Sequence, residues 1–117
     1  MGTPRLITIE ELAAVLRSGG YDEFWNALTT DYFTSELIPG SRWVPVDRVG
    51  REVSARGLDK NARVIVYCSG PSCPNSRDAG MKLATLGFTD LRVFEGGLES
   101  WKASGRGVEV LSNVTAA

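Results

Sequence analysis

The sequence contains no histidine and only two cysteines, and both facts restrict its chemistry. Without an imidazole, the chain cannot form a Ser-His-Asp or Cys-His hydrolase centre, nor a histidine-ligated metal site. Two sulfurs alone do not complete the tetrahedral ligand set of zinc. A reactive cysteine in this chain must therefore be activated without histidine, and we predict neither a metal nor an organic cofactor.

Long apolar runs and clusters of basic residues are also missing. No stretch approaches the roughly 20 apolar residues of a membrane span, and the N-terminal residues lack the apolar segment of a signal peptide. The formal net charge is −1, and no run of lysines or arginines occurs. We therefore expect no nucleic-acid or membrane partner and a cytoplasmic location, where two cysteines are more often thiols than a structural bridge.

The chain length and the apolar content fit one small domain. The chain has 117 residues, of which 43% are hydrophobic, enough for a core that needs no disulfide framework. We expect one domain over residues 1–117, with loose ends at residues 1–4 and from about residue 108 to 117.

Strand-like and helix-like segments alternate about five times along the chain. The clearest strand is Arg63–Tyr67, which is apolar on both faces, as in central parallel strands. Thr8 and Glu11 have the spacing of a capping box that opens a helix. Further strands are predicted at 6–8, 24–28, 42–45 and 91–94. Further helices are predicted at 47–58, as one irregular helix interrupted by Gly50, from about 74 or 76 to 86, and at 98–103. This alternation predicts an α/β fold with a parallel sheet and helices on both faces.

Cys68 follows the predicted central strand and is the strongest candidate for a catalytic residue. In parallel sheets, ligands bind beyond the carboxyl ends of the strands. We expect the following loop to bind anions, because its amides and the start of the next helix favour negative charge. Such surroundings lower a thiol pKa from about 8.5. The candidate loop residues are Ser69, Gly70, Pro71, Ser72 and Cys73, and behind them stand Ser76 and Arg77.

Other interpretations of Cys68 stay open at this stage. It could be an inert buried thiol, since free cysteine is among the most buried residue types, or it could form a structural disulfide with Cys73. A cysteine phosphatase is disfavoured, because such enzymes place an arginine six positions after the nucleophile. Pro74 stands there in this chain, and Arg77 is nine positions after Cys68.

Four segments, in order along the chain, resemble the rhodanese-like domain family. They are Ile9–Leu12, Phe33 to Ser41 with its Ile-Pro-Gly-Ser end, Val64–Cys68 with the following loop, and Phe94–Trp101 with the pattern E-G-G-x-x-x-W. The resemblance implies a five-stranded parallel sheet. It also implies that Cys68 takes a sulfane sulfur from a donor such as thiosulfate, becomes a persulfide, and passes the sulfur to a thiol or cyanide-type acceptor, or to a protein thiol.

The sequence departs from the family pattern at three places. Leu37 stands where the family usually has histidine, and Asn26 and Thr29 replace an Asp-x-Arg pair that commonly braces the core. Cys73 occupies the last position of the six-residue loop. A second thiol there suggests a resolving role, in which Cys73 attacks a persulfide on Cys68 and forms a disulfide.

Three functions follow from this interpretation. The first is an enzyme, a thiosulfate sulfurtransferase (rhodanese) type transferase that uses Cys68 in two-step covalent catalysis. The second is a non-catalytic sulfur carrier or redox-sensing module on the same fold. The third is a thiol-dependent, arsenate-type reductase.

Overall fold

Short strands and α-helices alternate along the chain in the computed structural model, which describes residues 3–111. The strands are β1 (Arg5–Leu6), β2 (Glu23–Asn26), β3 (Glu36–Leu37), β4 (Arg42–Trp43), β5 (Arg63–Tyr67), β6 (Asp90–Phe94) and β7 (Glu109–Val110). The α-helices are α1 (Ile9–Ser18), α2 (Val49–Arg56), α3 (Asn75–Thr85) and α4 (Gly97–Ala103). A 3₁₀ turn over Val46–Arg48 leads directly into α2.

Five of these strands form one parallel sheet in the order β1-β6-β5-β2-β4. This arrangement confirms the predicted α/β fold with a five-stranded parallel sheet. In the register, Tyr67 at the end of β5 lies opposite Phe94 of β6 and Asn26 of β2. The carboxyl ends of the three central strands therefore lie level, and Cys68 follows at this edge.

Side chains of β5 alternate between two separate cores, one on each face of the sheet. Val64 and Val66 pack in the core that also holds buried residues of α2 and α3. Ile65 and Tyr67 pack in the opposite core with residues of α1 and α4. Each fully buried side chain of this size contributes about 1.5–3 kcal/mol. The double burial explains why β5 is apolar on both faces.

The first helix begins as the sequence predicts. The hydroxyl of Thr8 accepts a hydrogen bond from the N–H of Glu11 (3.1 Å), and the Glu11 carboxylate accepts one from the N–H of Thr8 (2.9 Å). This reciprocal pair is a capping box, and it satisfies amides that have no partner within the helix.

Several boundaries differ from the expectations. The strand expected at residues 24–28 is Glu23–Asn26, and the single irregular helix expected at 47–58 is the 3₁₀ turn followed by α2. Gly50 does not interrupt that helix.

The chain end expected to be loose from residue 108 is partly ordered into a strand. Glu109–Val110 pair in antiparallel fashion with β3, and the N–H of Leu111 donates to the carbonyl of Ser35 (2.8 Å). Sequence patterns do not reveal this two-residue pairing, because it depends on contacts between distant segments. The rest of both expected loose ends, residues 1–2 and 112–117, lies outside the described residues.

Within residues 3–111, no helix combines the length and the apolar character needed to cross a membrane.

Candidate active site

Cys68 lies directly after β5, and its side chain is fully buried. The loop then turns sharply, and the N–H of Cys73 donates to the carbonyl of Gly70 (3.0 Å). Pro71 holds the second position of this turn, where its fixed φ angle is favourable. Pro71 and Ser72 at the tip of the turn are exposed, whereas Cys73 is partly buried. The structure thus places all the predicted loop residues around one tight turn.

Two sulfurs face the start of α3. The N–H of Ser76 acts to lower the pKa of the Cys68 thiol, and the N–H of Asn75 acts to lower that of Cys73. Helix α3 begins at Asn75 after Pro74, and no side chain caps it. The first amides of a helix have no partner within the helix, so those of α3 favour negative charge on the nearby sulfurs.

The sulfur of Cys68 has two further polar neighbours. The hydroxyl oxygen of Ser76 lies 3.4 Å away, and so does the carbonyl oxygen of Cys73. A carbonyl only accepts hydrogen bonds, so it stabilises the protonated thiol, whereas the Ser76 hydroxyl can also donate to a thiolate. The site therefore contains groups that favour each protonation state.

Burial raises the pKa of the Cys68 thiol above its usual value, and a hydrogen bond to Cys73 raises it further. The hydroxyl and the N–H of Ser76 act in the opposite direction but are weaker. The sequence predicted a lowered pKa from several loop amides. The structure differs, because the Cys73 amide is used within the turn and the sulfur of Cys68 is removed from water.

The pKa of Cys73 is shifted in the opposite direction. Burial alone raises its pKa, but hydrogen bonds from the Cys68 thiol and from the N–H groups of Asn75 and Ser69 outweigh this effect and lower the pKa. The two residues are free thiols in the structure. Of the pair, Cys73 is the more acidic and the more accessible thiol.

Arg77 forms an ion pair with Glu95, the residue after β6. Its guanidinium Nη1 lies 2.8 Å from the carboxylate Oε2 of Glu95, at the end of β6. The sequence proposed Arg77 as a source of positive charge and left its direction open. The structure pairs that charge with a carboxylate instead.

The start of α4 holds the loop from the other side. The N–H of Leu98 donates to the carbonyl of Cys68 (3.0 Å), and the N–H of Glu99 donates to the carbonyl of Ser69 (2.8 Å). Gly97 adopts a positive φ of 59°, and a Cβ on it would overlap the carbonyl of Cys68. The sequence identified the Gly-Gly turn, but not its contact with the active-site loop.

Gly70 also allows a close contact. A Cβ at this position would overlap the carboxylate of Glu99, which lies over the loop. Glu99 thus occupies the space that a side chain at position 70 would need. Sequence reasoning did not identify Glu99 as a site residue. In the sequence, Glu99 was visible only as part of the Phe94–Trp101 segment that resembles the family pattern.

A cleft of about 450 Å³ adjoins the loop at Ser69. It is lined by Leu28, Tyr32, Thr34, Glu36, Ser69, Leu98, Glu99 and Lys102. The ammonium of Lys102 forms an ion pair with Glu36 at this cleft (3.0 Å). The cleft is mixed in polarity, and it offers a small molecule a place beside the loop.

The positions that depart from the family pattern are held by other bonds. Leu37 is buried. The buried amide of Asn26 accepts from the N–H of Leu28 (2.9 Å) and donates to the carbonyl of Glu36 (3.3 Å). The carbonyl of Thr29 accepts from the N–H of Phe33 (3.0 Å). Hydrogen bonds to the backbone thus hold Asn26, and a backbone turn holds Thr29.

Tyr67 adds a second polar brace beneath the site. Its hydroxyl accepts from the N–H of Ile38 (2.8 Å) and lies 2.7 Å from the hydroxyl of Ser41. Burial raises the pKa of Tyr67 to about 12. The brace connects the strand that carries Cys68 to the Ile-Pro-Gly-Ser segment.

Among residues 3–111, no three histidine, cysteine or acidic side chains are grouped so that they could hold a metal ion.

Comparison with solved structures shows the same fold in several proteins. A protein from Bacillus halodurans is 26% identical, with a TM-score of 0.76 over 91% of this chain and 77% of that chain. A rhodanese-like domain from Anabaena sp. is 22% identical, with a TM-score of 0.77 over 97% and 83%. A human single-domain sulfurtransferase is 18% identical, with a TM-score of 0.69 over 87% and 97%.

Among curated proteins, none matches the sequence. The family model of the rhodanese-like domain, in contrast, matches residues 8–104, which include every strand of the parallel sheet except β1 and the whole of the Cys68 loop. This chain therefore belongs to the rhodanese-like domain family.

Proposed function

We propose that the chain is a sulfurtransferase that carries a sulfane sulfur as a persulfide on Cys68. The observation that carries this proposal is the position of Cys68. It follows the central parallel strand, and the hydroxyl oxygen of Ser76 at the start of α3 lies 3.4 Å from its sulfur. An anion on that sulfur is stabilised by this hydroxyl and by the positive end of the helix dipole.

The net reaction has two balanced steps. In the first, the outer sulfur of a donor such as thiosulfate becomes bound to the sulfur of Cys68, and sulfite leaves with the electron pair of the broken S–S bond. In the second, a nucleophile such as cyanide or a thiolate attacks the outer sulfur. The bond to Cys68 then breaks, and Cys68 returns as a thiolate.

The cleft beside Ser69 supports the same proposal, because it gives a donor or acceptor a place next to the loop. Its volume of about 450 Å³ suits a small molecule. The side chain of a cysteine on a protein partner would also fit into a cleft of this size.

The test is thiocyanate formation from thiosulfate and cyanide by the purified chain. The wild type should form thiocyanate, and its intact mass after thiosulfate should show one added sulfur that cyanide removes. The Cys68→Ala variant should lose most of this activity. A folded wild type that transfers sulfur from neither thiosulfate nor a low-molecular-weight persulfide would contradict the proposal.

The second candidate function is a non-catalytic sulfur carrier or redox-sensing module. It is favoured by the full burial of Cys68 and by the raised pKa of its thiol. A carrier of this kind would hold a persulfide but would not turn over. Stable loading with one sulfur, without thiocyanate formation, would support this alternative.

A further inference from the structure

The two cysteines of the loop differ in their access to solvent. Cys68 is completely buried in the core on the α1 and α4 side of the sheet. Cys73 is partly exposed and packs against the same core. A sulfur donor that approaches the Cys68–Cys73 loop from solvent therefore reaches Cys73 before it reaches Cys68.

The two cysteines are also in direct contact, because the sulfur of Cys68 lies 3.4 Å from the carbonyl oxygen of Cys73. The Cys73 side chain also contributes to the raised pKa of Cys68. The Cys68 thiol and the N–H groups of Asn75 and Ser69 each act to lower the pKa of Cys73. These neighbouring donors thus favour an anion on Cys73.

We propose that Cys73 takes the sulfane sulfur from the donor first and then passes it to Cys68. This inference rests on the proposed function, and it assigns Cys73 as a second catalytic residue of the same reaction. It differs from a resolving role, because Cys73 acts before Cys68 and no disulfide is formed.

Both steps of the relay balance. First, the Cys73 thiolate attacks the outer sulfur of thiosulfate, the S–S bond of the donor breaks, and sulfite leaves with the electron pair. Then the sulfur of Cys68 attacks the outer sulfur of the Cys73 persulfide. The bond between the outer sulfur and Cys73 breaks, and the thiol proton of Cys68 passes to the sulfur of Cys73. The products are a Cys68 persulfide anion and a Cys73 thiol.

The protonation states fit this order. The pKa of Cys73 is lowered and that of Cys68 is raised, so the accessible sulfur is the one that more readily becomes a thiolate. Because the thiolate is the nucleophile, the first attack falls to Cys73. The proton on Cys68 is available for the second step.

The relay is tested by single-turnover loading of the full chain with thiosulfate. The reaction is quenched by rapid alkylation, and the added sulfur is located by fragment mass spectrometry. In the wild type we expect the sulfur on Cys73 at the earliest times and on Cys68 later. The Cys68→Ser variant should still load at Cys73, and the sulfur should stay there. The Cys73→Ser variant should load Cys68 about tenfold more slowly, because the loop must first open locally.

Cys73→Ala serves as a second variant, and thermal unfolding of all variants reports whether each is folded. Alkylation without a donor gives an independent measurement, in which Cys73 of the wild type should react before Cys68. Loading of both folded Cys73 variants at the wild-type rate would overturn the relay alone. So would a Cys68–Cys73 disulfide formed with release of sulfide. A wild type that loads neither cysteine would instead overturn the proposed function together with the relay.

Discussion

The hydroxyl oxygen of Ser76 lies 3.4 Å from the sulfur of Cys68, and both side chains are fully buried. The hydroxyl can accept from the thiol while Cys68 is protonated, as the Cys73 carbonyl can, and it can rotate to donate when Cys68 is a thiolate. Ser76 can therefore form a hydrogen bond with this buried sulfur in either protonation state of Cys68. This contact makes Ser76 a positioning and electrostatic residue for the proposed chemistry.

Ser76→Ala should lower the reactivity of the Cys68 thiol at neutral pH. Removing a donor to the thiolate raises the pKa of Cys68 further, and a hydrogen bond to a charged group is worth about 1.5 kcal/mol, or about tenfold in rate. The measurement is the alkylation rate of Cys68 against pH in a Cys73→Ser background. Ser54→Ala, at an exposed position of α2, is the matched control and should leave the profile unchanged. A pH profile that Ser76→Ala does not shift would contradict this role.

Gly97→Ala should destabilise the loop and the whole domain. The positive φ of 59° is unfavourable for alanine, and its Cβ would overlap the carbonyl of Cys68. We expect a loss of about 2–4 kcal/mol in the free energy of unfolding, from backbone strain and overpacking combined. Denaturant unfolding measures this loss.

Gly50→Ala is the matched glycine control, and it should stabilise the protein. Gly50 is the second residue of α2, is exposed, and has no atom within 4 Å of the position of a Cβ. Alanine is favoured over glycine by about 0.8–1.0 kcal/mol in a helix interior, and we expect a smaller gain in this first turn. A loss of stability at Gly50, or no loss at Gly97, would show that the described packing is incorrect.

Tyr67→Phe should reduce the free energy of unfolding by about 1–3 kcal/mol, because it leaves the buried N–H of Ile38 without an acceptor. Tyr32 is 71% exposed, so Tyr32→Phe is the control and should change stability little. Chemical denaturation of both variants distinguishes the effect of the buried hydrogen bond from that of a lost hydroxyl alone.

Acid should weaken one specific contact at the start of β5. The side chain and the N–H of Arg63 hold the pKa of Asp22 at about 2, below its ordinary value of 3.8. Because the folded-state pKa is lowered, this contribution is fully present above pH 3.8 and is lost as the pH falls toward about 2. Asp22→Asn should therefore make unfolding less dependent on pH within this window, as measured by thermal unfolding at a series of pH values. Equal pH dependence in the variant and the wild type would contradict the assignment.

Local residue patterns were enough to predict the main elements of the fold. The β-branched run from Arg63 to Tyr67 predicted the central strand, and the spacing of Thr8 and Glu11 predicted the capped start of α1. Both signals are short-range, because burial on two faces and a capping box each depend on neighbouring residues. The same reasoning placed Cys68 at the end of a strand and Ser76 behind it.

The sequence by itself determined the α/β alternation, the absence of histidine chemistry, and the cysteine at the strand end. Tertiary structure alone decided the direction of the pKa of Cys68, the partner of Arg77, the contact of α4 with the loop, and the pairing of β7 with β3. The physical reason is the separation along the chain between the residues that interact. Desolvation of a sulfur, an ion pair with Glu95 and the fit of Gly97 against a carbonyl all arise from residues that are distant in the chain and adjacent only in the folded state.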